Sequence, residues 1–216
     1  MQFLDDRLDA DALEPDASAN GIDVVRRMTG GKLVLHYREL TYSLASSDTE
    51  LFTDTLRESY RRISLGLVRG LEHMGLEARL AASSPPAYVR GTMPCFAYPA
   101  RDEVEIGGLK IVGSAQKRTG AAFLQHGSVP LEKDEDLLKG AARSEAPDNG
   151  IRMTSLAEAL GRPPDFEWAA GQLSLGLSEF FGTALKPFSL DAAASGEIAR
   201  IEAERYGNEA WTLGRS

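Results

Sequence analysis

The sequence predicts an α+β fold in which a mainly antiparallel or mixed sheet packs against helices. Short extended runs fill the first two thirds of the chain, and the last third has helical periodicity. Two adjacent glycines, Gly107 and Gly108, separate two extended runs and indicate a tight hairpin. Strands joined by hairpins and followed by helices are typical of α+β domains. We expect one catalytic domain over residues 1–181 and a C-terminal helical tail, residues 182–216, packed on it.

The first half of the chain predicts strands and one long helix. Residues 1–20 are acidic with little periodicity, which indicates a loop or a loose helix. Residues 32–37 and 40–44 are rich in Leu, Val and Tyr, as strands are. Apolar residues then recur at helical spacing and predict a helix that Gly75 ends. These residues are Leu56, Tyr60, Ile63, Leu67, Leu71 and Met74.

The second half predicts a loop, a hairpin, a strand and then helices. Residues 82–94 contain Ser, Pro and Gly and predict a loop with Cys95 at its far edge. Residues 102–106 and 109–116 flank the glycine turn, and residues 122–131 predict a further strand. Helices are predicted over residues 154–160, from a cap at Asp165 to Phe181, and from a cap at Ser189 to Tyr206.

Charge and cysteine content narrow the class of protein. The chain has 216 residues, a formal net charge of −8 and one cysteine. A general nucleic-acid binder usually carries the opposite charge. A lone cysteine cannot form an internal disulfide, and a free thiol fits a reducing compartment. The acidic N-terminus lacks the plan of a signal peptide, and no apolar run approaches a membrane span. We therefore expect a cytoplasmic protein that binds neither nucleic acid nor membrane.

Cys95 is the first candidate for chemistry. A thiol becomes a nucleophile when it ionises, and a nearby cation lowers its pKa from the ordinary value of about 8.5. Cys95 follows Pro94 beside a predicted loop, where a substrate could reach it. A buried structural cysteine is the alternative, because burial is the commonest fate of a free Cys.

Three further features are weaker on their own. Residues 26–32 combine two arginines with two glycines, which suits a phosphate or carboxylate but also an ordinary turn. Lys110 follows the glycine turn, where an exposed hairpin lysine is the common outcome. His126 is more often structural than catalytic in such a position. His36 and His73 share no metal-ligand spacing with it, and we expect no metal.

Four segments together resemble the lipoate–protein ligase and octanoyltransferase superfamily. They are Arg26-Arg27-Met28-Thr29-Gly30-Gly31-Lys32 through His36, Glu39-Leu40-Thr41-Tyr42-Ser43, Cys95-Phe96, and Gly108 through Arg118 followed by Leu124-Gln125-His126-Gly127-Ser128. The end of the chain, Tyr206 through Trp211, resembles the octanoyltransferase branch. The resemblance implies the α+β catalytic domain of biotin and lipoate protein ligases, which we expect here without its first strands.

The resemblance also implies roles for individual residues. Cys95 matches the nucleophile of the cysteine-dependent octanoyltransferases, and Lys110 matches the lysine that contacts the acyl carbonyl. Substrate-binding roles carry over by position to Arg27, Thr29, Gly30, Gly31, His36, Gly113, Ser114, Ala115 and His126. On this basis we expect Lys110→Ala to lower transfer while leaving the fold intact.

Two departures from the family pattern bear on the branch. An acidic residue usually follows the motif histidine, and Tyr37 stands there instead. Ligases usually show three consecutive glycines, and Lys32 occupies the third place, which favours the transferase branch.

The leading hypothesis is an acyltransferase that moves an octanoyl or lipoyl group from acyl carrier protein, through a Cys95 thioester, to a lysine of a lipoyl domain or of the glycine-cleavage H protein. It needs no cofactor and is expected to act as a monomer. The alternatives are a lipoate–protein ligase that uses ATP and Mg²⁺, and a non-catalytic module that binds acyl groups or carriers. Lys117, Arg118 and Lys133 could supply a basic surface for acidic partners.

Overall fold

The structure, a computed structural model, describes residues 2–4, 23–30, 34–52, 55–83, 99–134, 137 and 152–213. Within them the strands form three three-stranded sheets, and every strand pair except β1–β2 is antiparallel. The predicted α+β fold with a mainly antiparallel sheet is therefore confirmed. The strands are β1 (Gln2–Leu4), β2 (Val24–Arg26), β3 (Val34–Leu35), β4 (Glu39–Ser46), β5 (Ala78–Leu80), β6 (Val104–Ile106), β7 (Leu109–Lys110), β8 (Gly113–Thr119) and β9 (Ala122–Pro130).

The first sheet has the order β2-β1-β3, with β1 parallel to β2 and antiparallel to β3. The loop or loose helix predicted for residues 1–20 is wrong at Gln2–Leu4, which form the central strand. Three residues are too few for an alternating pattern to be read, and the strand depends on partners more than 20 residues away along the chain. Of the strand predicted at 32–37, residues 34–37 are described, and only Val34–Leu35 form a strand.

The second sheet, β4-β9-β8, carries most of the motif residues. Its central strand β9 pairs Ser128 with Thr41 and Gly113, and pairs His126 with Ser43 and Ala115. The segments 39–43 and 124–128 and the later part of 108–118 are thus neighbours on this one sheet. Arg26 and Val34–Leu35 belong to the first sheet, and Cys95-Phe96 lies outside the described residues.

The third sheet, β5-β6-β7, contains the predicted glycine hairpin. Gly107 and Gly108 have φ of +59° and +81°, which is the left-handed conformation that a tight hairpin turn requires. The extended run 109–116 is one strand in the sequence pattern but two in the structure. Its first part, β7, pairs with β6, and its second part, β8, joins the second sheet. The chain therefore crosses between sheets just after Lys110.

The helices are α1 (Leu56–His73), α2 (Leu156–Leu160), α3 (Phe166–Phe181), α4 (Ala192–Ile201), a π-helical turn (Glu202–Tyr206) and α5 (Glu209–Leu213). The boundaries predicted for α1 and α3 are confirmed. Thr55 caps the start of α1, Gly75 follows its end with φ of +83°, and Asp165 caps α3. The final helix starts later than predicted, because Asp191 rather than Ser189 accepts the capping bond, from Ala194 N–H.

Helices α1 and α3 cross at glycines. A Cβ on Gly176 would lie 2.1 Å from Gly70 N and 2.7 Å from the carbonyl oxygen of Gly66. Only residues without a side chain allow backbones this close. The apolar side of α1 packs onto the core, where Ile63, Leu67 and Leu71 have no exposed surface. Among the described residues, no helix has the length and apolar character needed to traverse a membrane.

Candidate active site

The β4-β9-β8 sheet separates the motif residues onto two faces. Successive side chains of a strand point to opposite faces. His126 lies in register with Ala115, whereas Ser114 lies in register with Gly127 and through it with Tyr42. The sequence resemblance groups Ser114 with Ala115 and His126, but the structure places Ser114 on the other face. The first face is called here the histidine face and the second the tyrosine face.

On the histidine face, the glycine motif contacts the strand motif directly. Thr29 Oγ1 lies 2.6 Å from His126 Nε2, although the two residues are 97 positions apart. Thr29 is 3% exposed and Arg27 is 7% exposed, which places a buried cation beside this pair. A buried guanidinium, a hydroxyl and an imidazole together offer several donors to a carbonyl or carboxylate oxygen. Gly30 is exposed next to Thr29, and Gly31 lies outside the described residues.

His126 is an uncharged imidazole at neutral pH. Burial, together with the nearby charges of Arg27 and His36, lowers its pKa to about 4. Because both residues act on the His126 pKa through their charge, both lie close to the ring. The ring can therefore serve as a hydrogen-bond partner at neutral pH without adding a second positive charge to that of Arg27.

We expect the His126 imidazole to titrate near pH 4 in the folded protein, well below the ordinary value of about 6.5. Between these two values the unfolded chain binds more protons than the folded one, and the free energy of unfolding should fall as pH is lowered through this window. NMR titration of the ring protons, assigned with a His126→Gln variant, measures the pKa. Titration near 6.5 would contradict the burial and charge described here.

A carboxylate links three polar groups on the same face. Glu39 accepts from Thr41 Oγ1 at 2.7 Å, hydrogen bonds to Ser128 Oγ through its second oxygen, and pairs with His36 Nδ1. Its side chain is 7% exposed. A carboxylate on Nδ1 fixes the tautomer and orientation of an imidazole. The family pattern usually has an acidic residue directly after this histidine, and here Glu39, three residues on, contacts it instead of Tyr37.

Replacing Glu39 with Gln should lower the free energy of unfolding by about 1–3 kcal/mol, because an amide cannot accept from all three groups and can leave the buried Ser128 hydroxyl without its acceptor. Thermal and urea unfolding measure the loss. Glu50→Gln is the matched control, because it makes the same chemical change at an exposed residue in a turn. Equal losses in the two variants would show that the Glu39 contacts carry no stability.

The tyrosine face holds a chain of buried hydrogen bonds. Tyr42 OH lies 2.6 Å from Ser114 Oγ and accepts from Gln125 Nε2 at 2.9 Å, and Gln125 Oε1 accepts from Gln116 Nε2 at 3.0 Å. Burial raises the Tyr42 pKa to about 12, and the phenol keeps its proton. Gly127 makes room for this chain, because a Cβ there would lie 2.6 Å from the Tyr42 ring and 2.8 Å from Ser114 Oγ.

Lys110 is the most deeply placed charge of the candidate site. Its side chain has no exposed surface, and Nζ lies 2.8 Å from Glu103 Oε1. Glu103 Oε2 also accepts the Ala100 N–H at 2.7 Å. The exposed hairpin lysine considered from the sequence is therefore wrong. Lys110 is the second residue after the Gly107-Gly108 turn, and its side chain points into the protein.

A cleft of about 550 Å³ opens beside this ion pair. Glu103, Ser114, Gln116 and Tyr60 are among the residues that line it. Ser114 therefore belongs with the Lys110–Glu103 pair rather than with His126. The cleft connects the tyrosine face of the sheet to the segment 100–103, which begins five residues after Cys95. Cys95 itself lies outside the described residues.

The structure thus brings Arg27, Thr29, His36 and His126 together on the histidine face, with Ala115 in register beside His126. Gly113 lies next to Ser128 at the start of β8. Ser114 lies on the tyrosine face, and Lys110 belongs to β7 of the third sheet, where it pairs with Glu103 beside the cleft. Within the described residues, no cluster of three or more His, Cys, Asp or Glu side chains has a geometry suited to a metal ion.

Sequence reasoning missed two residues of the site, Glu39 and Glu103. Glu39 stands in a quoted motif, and its spacing of three from His36 was the available signal. Glu103 gives no such signal, because its partner Lys110 lies across a hairpin whose exact register decides which side chains meet.

The fold and the motif contacts agree with the comparisons. The chain belongs to the lipoyl protein ligase A/B catalytic domain family, whose family model matches residues 7–177. Within this family it is similar to octanoyltransferase LipM of Symbiobacterium thermophilum, with 33% identity over 228 residues that cover 99% of this chain and 80% of the relative. Octanoyltransferase LipM of Kyrpidia tusciae is 37% identical over 205 residues, covering 89% of this chain and 75% of the relative.

Solved structures of lipoate–protein ligases share the fold. The structure of lipoate-protein ligase A bound with ATP matches with a TM-score of 0.81 at 20% identity, covering 100% of this chain and 82% of that chain. The bipartite lipoate protein ligase of Thermoplasma acidophilum, analysed with its E2 lipoyl domain, matches with a TM-score of 0.78 at 20% identity, covering 100% and 80%. At this identity the likeness establishes the fold.

Proposed function

We infer that this protein is an octanoyltransferase of protein lipoylation, which attaches an octanoyl group to a lysine of a lipoyl domain. The observation that carries the inference is the Thr29–His126 contact, because it joins the glycine motif and the strand motif into one polar site. Similarity to LipM octanoyltransferases across nearly the whole chain supports the same activity. The lipoate–ligase fold supports the acceptor class.

The proposed reaction is two acyl exchanges at Cys95. The Cys95 thiolate attacks the carbonyl carbon of a donor thioester, a new C–S bond forms, and the donor leaves as a thiolate that takes up the proton lost by Cys95. The acceptor lysine amine then attacks the enzyme thioester, an amide forms, and Cys95 regains its proton. Exchange between two thioesters is nearly balanced in free energy, and the mechanism needs no ATP, no Mg²⁺ and no other cofactor. Holding the acyl group on the enzyme divides one difficult encounter into two easier ones.

Two parts of the site have assigned roles in this proposal. Arg27, Thr29 and His126 border the acyl pocket at the carbonyl end of the chain, where a buried guanidinium and a hydroxyl can donate to the carbonyl oxygen. Lys110 stabilises the negative charge that develops on the carbonyl oxygen, as positioned donors do in acyl transfer. Its ion pair with Glu103 holds the ammonium group in one place.

Acyl carrier protein is the proposed donor, and a lipoyl domain or the H protein of glycine cleavage is the proposed acceptor; the protein is proposed to work as a cytoplasmic monomer. Two of the three expected basic residues have internal partners. Arg118 Nη2 donates to Ser59 Oγ at 3.0 Å, and Lys133 Nζ lies 3.0 Å from Glu158 Oε1. Lys117 is exposed, and we propose that it contacts acidic partners. The exposed Arg57 and Arg61 of α1 both lie near the Asp102 carboxylate, at 3.3 and 3.7 Å.

The test is acceptor modification with two alternative donors. Purified protein and lipoyl domain are mixed either with octanoyl-carrier protein alone or with free octanoate, ATP and Mg²⁺, and the acceptor mass is measured. Modification only with the carrier-bound donor is the expected result. Modification only with the free acid and ATP would establish the ligase instead. Binding of carrier without modification under either condition would indicate a non-catalytic module.

A further inference from the structure

Helix α5 is hydrogen-bonded to β2, the strand that leads into the glycine motif. Trp211 Nε1 donates to the carbonyl oxygen of Arg26 at 2.8 Å. In return, Arg26 Nε donates to the carbonyl oxygen of Thr212 at 3.2 Å. The partners are 185 and 186 residues apart along the chain. These two reciprocal bonds join α5 to the end of β2, one residue before Arg27.

Burial and ring contacts hold this junction in one geometry. Arg26 and Thr212 are 8% and 6% exposed. The Arg205 guanidinium lies 4.9 Å from the centre of the Trp211 ring, and the Tyr206 ring meets the same ring edge-on at 6.2 Å. Cation–π and edge-to-face contacts of this kind restrict the orientation of an indole. The indole N–H is therefore aimed at a fixed backbone carbonyl rather than at solvent.

Arg26, whose carbonyl oxygen accepts the Trp211 hydrogen bond, directly precedes residues of the candidate substrate site. Strand β2 is only three residues long, and Arg27 and Thr29 follow it. A short strand with few ladder bonds gives the following turn little rigidity of its own. The Thr29–His126 contact requires that turn to lie within hydrogen-bond reach of β9.

We propose that Trp211 is a positioning residue for the Arg27–Thr29 turn, through its bond to the Arg26 carbonyl. Its effect on activity rests on the function proposed above, whereas its effect on the turn does not. Trp211 touches no substrate in this assignment. It fixes the backbone from which Arg27 and Thr29 extend, and the C-terminal tail thereby becomes part of the binding site rather than a separate appendage.

The test compares two tryptophan-to-phenylalanine variants. Trp211→Phe keeps an aromatic ring for Arg205 and Tyr206 but removes the N–H. Trp168→Phe makes the same chemical change at the other tryptophan. The Arg162 guanidinium lies 5.7 Å from the centre of the Trp168 ring, so this ring also has a cation–π contact. Hydrogen exchange followed by mass spectrometry reports on the backbone of residues 24–30, and steady-state transfer from octanoyl-carrier protein reports on the site.

In Trp211→Phe we expect faster exchange over residues 24–30, unchanged exchange in β4 and β9, and a KM for the octanoyl donor raised about five-fold, as the loss of one positioned hydrogen bond commonly gives. The maximal rate should stay close to that of the wild type, and Trp168→Phe should change neither measurement.

A structural role alone would give a different pattern. Partial unfolding removes active molecules, which lowers the maximal rate and leaves KM unchanged. That pattern, or unchanged exchange over residues 24–30, would overturn the proposal. Should the wild type show no acyl transfer, the function proposed above fails, and the exchange measurement still decides whether Trp211 positions the turn.

Discussion

Replacing Lys110 with alanine is expected to lower the free energy of unfolding by about 3–5 kcal/mol, because it leaves the buried Glu103 carboxylate without its cation. The side chains of the pair are 0% and 6% exposed, and water cannot replace the lost partner. The sequence alone suggests that this substitution spares the fold, and the structure corrects that expectation. The same variant should lose transfer activity, since one donor at a developing oxyanion commonly contributes roughly 2.7–4 kcal/mol to lowering the barrier.

Paired variants separate the two effects of Lys110. Urea unfolding of Lys110→Met, Glu103→Gln and the double variant gives the coupling between the side chains, and the double variant should regain much of the lost stability because no charge remains buried alone. It should still lack transfer activity. Lys186→Ala, at an exposed position between α3 and α4, is the control and should match the wild type. Full activity in the double variant would remove Lys110 from the reaction.

Cys95→Ser is expected to lower transfer below detection while the protein stays folded. A serine hydroxyl ionises far less readily than a thiol and is a poorer nucleophile toward a thioester. Cys95 is the only cysteine in the chain, and no other thiol can substitute. Transfer from octanoyl-carrier protein to a lipoyl domain measures the loss, with circular dichroism as the check on folding.

A matched variant keeps this prediction decisive. Cys95→Ala removes both the nucleophile and any hydrogen bond that a serine could make, and it should behave like Cys95→Ser. Equal transfer rates in the wild type and either variant would show that Cys95 is a structural cysteine and that the acyl group passes directly from donor to acceptor.

Elements with local signals could be predicted from the sequence. The ends of α1 are fixed by Thr55 and Gly75, and the β6–β7 turn is fixed by two glycines with positive φ. Such signals depend on residues within one turn of the chain, and the same physics acts in the isolated segment. The final helix shows the limit of this reasoning, because Ser189 and Asp191 are both good caps and only the path of the chain selects Asp191.

The sequence names candidate residues of the site but not their arrangement. Thr29 and His126 are both motif residues, yet their contact depends on how β2 and β9 meet in space. Ser114 and Ala115 are neighbours in the sequence and lie on opposite faces, since strand alternation separates what a motif groups. Glu103 and Trp211 contribute through partners across a hairpin and across the whole chain, which no local pattern reveals.

Intact-mass measurement of the wild-type protein after mixing with octanoyl-carrier protein, in the complete absence of ATP, tests the central claim most directly. The account predicts a mass increase of one octanoyl group that hydroxylamine removes, as expected for a thioester, and that Cys95→Ser lacks. A wild-type protein that stays unmodified, while the Cys95→Ser variant labels a lipoyl domain with free lipoate and ATP, would contradict the account and establish a ligase.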